Sequence, residues 1–130
     1  MLSKTERLKQ RYLFNTAFNL GKKNGQKLSS DLLLLYYLFR KKRESEVKLP
    51  KTAFIVGIKV EKKANKRNLV KRRMRSAYRV FRERLINNNN LKKISVLIWI
   101  ANQNIKNATF KQIKDSMENL LRRLENKACD

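Results

Sequence analysis

Residues 65–86 limit the possible folds more than any other stretch, because Val70, Met74, Ala77 and Phe81 fall into one narrow stripe when the chain is wound at about 100° per residue. A helix with a single stripe must lie on a sheet along that line and leave its other faces in water. Beside the stripe, Arg67, Lys71 and Arg75 form an i, i+4, i+8 row flanked by Asn68 and Arg72. From Val47 to Arg82 there are thirteen Lys and Arg residues and one acid, Glu61. The acid–base pairs that support an ordinary solvated helix face are therefore missing, and like charges at this spacing destabilise the helix. A phosphate ligand reverses the sign of that contribution, and the arginine fork suits phosphate geometry. Asn68 has two readings, an N-terminal cap or an amide for a base edge or ribose hydroxyl.

The whole chain carries a net charge of +23, from 33 Lys and Arg against 10 Asp and Glu. Self-repulsion of that size is relieved by a polyanion, with nucleic acid first among candidates. A polybasic membrane anchor needs a second signal. Leu2 stands where acylation requires glycine, and the longest apolar run, Leu32 to Phe39, is too short to span a bilayer. The expectation is a cytoplasmic chain with no membrane partner. It contains no histidine, its one cysteine is Cys129, and its carboxylates form no paired-acid motif. The commonest general base, internal disulfides and cysteine-held zinc are all excluded by composition. No protein catalytic residue, protein-held metal or organic cofactor is expected.

With 42% hydrophobic residues over 130 positions, the expectation is one folded domain spanning 1–130. Residues 5–20 place Leu8, Tyr12, Leu13, Phe14, Ala17 and Phe18 at helical spacings, with Gly21 as the stop. Residues 22–30 read as a turn or short edge strand, and "LLLLYYLFR" as a strand apolar on both faces. Lys41 to Lys51, with the only proline, is a connection. "TAFIVGIKV" alternates, sending Phe54, Val56, Ile58 and Val60 to the core and Ala53, Ile55, Gly57 and Lys59 to a face with little apolar bulk. After the basic helix, "NNNN" at 87–90 breaks the pattern, and "ISVLIWIA" at 94–101 is a buried strand with Trp99 assigned to packing. A last helix starts at a Thr109 cap and repeats Ile113, Met117, Leu120, Leu121 and Leu124. The order is αβββαβα.

These residues resemble the protein subunit family of bacterial ribonuclease P. The carrier is the helix pattern Arg67-Asn68, Lys71-Arg72 and Arg75, preceded by Ala64. "RLKQRYLFNTAFNLGKK", "LLLLYYLF", "VGIKVEKK" and the closing "ISVLIWIANQNIKNATFKQIKDSMENLLRRL" are similar to the family's first helix, Tyr-bearing strand, strand into helix, and last strand and helix. Leu69 and Asn102 stand where the family more often has basic residues.

The resemblance implies an α/β (α+β) sandwich with a mixed four-stranded sheet and a left-handed βαβ crossover, a fold shared with the second domain of a small-subunit ribosomal protein. It implies an accessory subunit of an endoribonuclease holoenzyme whose partners are the ribonuclease P catalytic RNA and precursor tRNA, with Mg²⁺ held mainly by RNA. It places Arg67, Asn68, Lys71, Arg72 and Arg75 against the catalytic RNA. Phe14, Phe18 and Tyr36, with charge from Lys59, form a cleft for the single-stranded 5′ leader. Taken alone, aromatics at helical spacing are core residues, and a ribosomal protein would share the charge and the basic helix. A DNA-binding regulator would need a helix just before the basic one, where "TAFIVGIKV" reads as strand, so no DNA partner is expected.

Overall fold

A computed structural model of the chain describes residues 7–40 and 49–128. The expectations for Leu2, for Thr5 and Glu6 of the first helix, for the connection at 41–48 and for Cys129 lie outside the described residues. The elements are α1 (Arg11–Asn24), β1 (Lys27–Ser29), β2 (Leu33–Phe39), β3 (Lys51–Ile55), α2 (Ala64–Arg79), α3 (Arg82–Asn87), β4 (Ile94–Ala101) and α4 (Phe110–Ala128). Short 3₁₀ turns at Leu91–Lys93 and Gln103–Asn107 flank β4. The order matches the expectation except that the basic helix is two helices.

The strands form one mixed sheet in the order β1-β2-β4-β3, with β3 parallel to β4 and the other pairs antiparallel. Alternation then sorts the side chains. Leu33, Leu35, Tyr37, Phe54, Leu97 and Trp99 share the larger core with Val70, Met74, Ala77 and Tyr78 of α2 and the apolar stripe of α4. Leu34, Tyr36, Leu38, Val96, Ile98 and Ile100 turn to the other face, under Ala17, Phe14 and Phe18 of α1. Helices on both faces explain why β2 and β4 read as continuous apolar runs. α4 begins in a reciprocal cap: the Gln112 N–H donates to Thr109 Oγ1 at 3.2 Å and the Thr109 N–H to Gln112 Oε1 at 2.8 Å. In the asparagine run, Asn88 Oδ1 accepts from the N–H groups of Asn90 and Leu91, closing the turn into β4.

Several boundaries differ from the expectation. Leu8 to Gln10 are not helical: the Leu8 N–H donates to the Thr52 carbonyl at 3.1 Å, so the N-terminal segment covers part of the open edge of β3. Gly21 is inside α1, and the stop is Gly25, which takes the left-handed conformation at φ 68°. The strand at 52–60 ends at Ile55, opposite Ile100, one residue before β4 itself ends. The chain then turns, with the Val60 and Glu61 N–H groups on the Gly57 carbonyl. The turn breaks the alternation, so Val56 and Val60 are buried while Ile58 is 68% exposed. The helix at 65–86 breaks at Val80, whose N–H donates to Ala77 in a tightened last turn. That break brings Phe81 and Leu85 together into the core.

Candidate nucleic-acid interface

α2 has no side-chain cap, and its N-cap position is Lys63. Asn68 therefore sits in the second turn, exposed, which removes the capping reading and leaves its amide free to face a ligand. Val70, Met74, Ala77 and Tyr78 are the buried side of the helix. Tyr78 was not in the expected stripe. Its hydroxyl lies 3.0 Å from Thr52 Oγ1 and its ring packs edge-on against Phe54 and Trp99, which fixes the rotation of α2 on the sheet.

That rotation presents Arg67, Asn68, Lys71, Arg72 and Arg75 along one flank, Asn68 and Arg72 exposed and the other three half-buried. Four of them, Asn68, Lys71, Arg72 and Arg75, make no side-chain hydrogen bond or ion pair among the described residues. Arg67 is different. Its Nη1 donates to the Lys62 carbonyl at 2.7 Å and the Glu61 carbonyl at 3.2 Å, tying the helix to the turn that leads into it. The one acid of this segment, Glu61, is buried and paired with Lys106 at 3.6 Å, so its charge does not offset the ridge. No acid occupies the first turn of α2, where the helix dipole already favours an anion. The ridge is a row of donors and positive charge with no counter-charge from the described residues.

On the opposite face of the sheet, α1 packs over β2 and β4, leaving Ala53 and Ile55 of β3 half covered, with Leu34 and Ile100 beside them. Phe14, Phe18 and Tyr36 come together along this helix: the Phe14 and Phe18 centroids are 6.4 Å apart and tilted, and Phe18 meets Tyr36 edge-on at 4.9 Å. The two phenylalanines are half-buried, whereas Tyr36 is only 9% exposed, so the open part of this aromatic group is Phe14 and Phe18. Lys59 is not on the strand face expected for it. It lies exposed in the turn after β3, because the strand has no partner beyond Ile55. Leu34 and Ile100 form part of the half-open floor, and no feature of their own strands distinguishes them from buried strand residues. The low bulk of Ala53 was the one signal of an open surface.

Among the described residues no group of three or more His, Cys, Asp or Glu side chains comes together to hold a metal ion, and no helix is long and apolar enough to cross a membrane.

The family model for ribonuclease P matches residues 2–125 of this chain. The ribonuclease P protein component of Clostridium novyi (strain NT) is 30% identical over 125 residues, covering 94% of this chain and 96% of that protein. Among solved structures, the RNase P protein of Staphylococcus aureus superposes with a TM-score of 0.69 at 24% identity, covering 92% of this chain and 94% of the other. The RNase P protein of Thermotoga maritima superposes with a TM-score of 0.66 at 22% identity, covering 91% and 96%.

Proposed function

The chain belongs to the ribonuclease P protein family, and from that premise we propose that it binds the catalytic RNA of the enzyme through the α2 ridge and the 5′ leader of precursor tRNA through the cleft beside α1. As a ribonuclease P protein component it works in tRNA processing, within an endoribonuclease holoenzyme that contains RNA. The observation that carries the ridge assignment is the set Asn68, Lys71, Arg72 and Arg75, unpartnered among the described residues, beside an acid turned away into its own ion pair.

In this reading the protein supplies affinity and position, and RNA supplies the catalytic groups. The Mg²⁺ that the reaction uses is held by RNA in this proposal. RNA phosphates are the natural ligands for such a hard cation, which when bound activates water for attack on the phosphodiester. Arginine forks and Lys71 neutralise phosphates of the catalytic RNA, and Asn68 adds an amide that both donates and accepts. Phe14 and Phe18 offer ring surface to leader bases with little preference for sequence, since every base has a π-face. Tyr36 holds Phe18 from below more than it offers a surface of its own. Lys59, at the turn beyond β3, adds positive charge to the region.

The test is to identify the RNA that co-purifies with the protein and ask whether the pair removes the 5′ leader from a precursor tRNA in Mg²⁺. Recovery with ribosomal subunits in place of one separate structured RNA would overturn the assignment.

A further inference from the structure

We propose that the backbone of the bound 5′ leader runs along α1, with one phosphate on Arg11 at the start of the helix and another on Lys22 near its end. The proposal rests on the reading above that leader bases reach Phe14 and Phe18. Helical spacing puts these cations and rings on one flank. Lys22 comes four residues after Phe18, Phe14 four residues before it, and Arg11 three residues before Phe14, all within α1. Residues three and four apart on a helix are surface neighbours, with Cβ atoms about 5 to 6 Å apart. On a wheel of about 100° per residue the four fall within about 80°, to one side of the buried Ala17 and Gly21. The two rings are half-buried, and Arg11 and Lys22 are exposed.

Neither cation makes a side-chain hydrogen bond or ion pair among the described residues, and α1 contains no acid from Arg11 to Asn24. The helix treats the two differently. Lys22 lies in the last turn, where the dipole favours positive charge. Arg11 opens the first turn, where the dipole opposes it, and that turn has neither an acid nor a side-chain cap from Gln10. A phosphate beside Arg11 removes the conflict, because side chain and dipole then both attract it. Exposed and set against the dipole, Arg11 serves a ligand and not the helix. That ligand is the leader. Stacking on Phe14 and Phe18 takes unpaired bases, which a single-stranded leader offers. The ridge assigned to the catalytic RNA is on α2, which packs on the opposite face of the sheet from α1. Arg11 and Lys22 stand about 16 Å apart along the axis, at about 1.5 Å per residue, with the rings between them. The strand therefore follows the helix, and a growing leader reaches one cation before the other.

The reconstituted holoenzyme is titrated over a range of salt with mature tRNA and with precursor tRNAs whose leaders are lengthened one nucleotide at a time. Arg11→Gln and Lys22→Gln each remove a charge and keep a long side chain at an exposed helical position. With the longest leader, each variant is expected to show a log–log salt slope shallower by about 0.7, the value of one single-strand phosphate contact, and with mature tRNA the wild-type slope. The deficit of one variant should begin at a shorter leader than the deficit of the other, which gives the direction of the strand on the helix. Deficits that begin at the same leader length, or that are equal for mature and precursor tRNA, overturn the proposal. So does a shallower slope when either variant protein is titrated with the catalytic RNA alone. Wild-type slopes in both variants, while Phe18→Ala still narrows the gap between precursor and mature tRNA, overturn the phosphate track and leave the leader cleft standing. A gap unchanged in Phe18→Ala as well overturns the leader cleft itself.

Discussion

The ring of Tyr36 lies directly against Gly21, so close that a Cβ on Gly21 would overlap the ring edge. Gly21 is buried within α1, and the same ring supports Phe18 at 4.9 Å. A side chain at position 21 must push α1 away from the sheet or turn Tyr36 out of its place. Gly21→Ala is expected to cost about 1 to 3 kcal/mol as an overpacked contact, despite the better helix propensity of alanine. In a thermal melt, the double variant Gly21→Ala, Tyr36→Leu should lose less than the sum of the two single changes. Additive losses would show that the contact does not set the helix position.

Along the ridge, Lys71→Ala and Arg72→Ala should weaken binding to the catalytic RNA and leave the melting temperature near wild type, since neither side chain has a partner among the described residues. Arg67→Ala should do both kinds of damage, because its guanidinium also holds the Glu61 and Lys62 carbonyls. Met74→Ala, fully buried, should cost about 2 to 5 kcal/mol in stability. Wild-type affinity should fall with salt at a log–log slope of about −0.7 to −0.9 per phosphate contact. Wild-type affinity for the catalytic RNA in the folded Lys71→Ala and Arg72→Ala variants would place the contact elsewhere.

At the cleft, Phe18→Ala should reduce holoenzyme affinity for precursor tRNA by roughly five- to a hundred-fold, from about 1 to 3 kcal/mol of stacking per base. Mature tRNA carries no leader, so its affinity should not move. Parallel losses for both ligands would mean that Phe18 acts through the packing of α1, where it touches Phe14 and Tyr36.

Burial raises the pKa of the Tyr37 hydroxyl above its ordinary value, because the phenolate loses hydration there. The unfolded chain releases this proton first as pH rises past about 10. The unfolded state then binds fewer protons than the folded one, so stability contributed by Tyr37 is complete below that pH and is lost as pH climbs toward the folded-state value. Denaturant melts should show a steeper alkaline decline for wild type than for Tyr37→Phe. An identical decline would place the hydroxyl in contact with water.

Local rules carried much of this protein. The three-four repeat from Ile113 to Leu124, the Thr109 cap and the stripe of Val70, Met74 and Ala77 follow from helical period and from hydrogen bonds that span a few residues, and all stand in the structure. The ridge was legible for the same reason: once the buried side of α2 is known, the opposite flank is known too. Long-range contacts decided the rest. A strand stops where its neighbour stops, so the end of β4 at Ala101, far along the chain, is what placed Ile58 and Lys59 in a turn. Whether Gly21 ends a helix or makes room inside one depends on Tyr36 arriving beneath it from another element. The same holds for exposure in the cleft. Composition supplied the charge, and only the packing of α2 on the sheet decided which of its cations face outward.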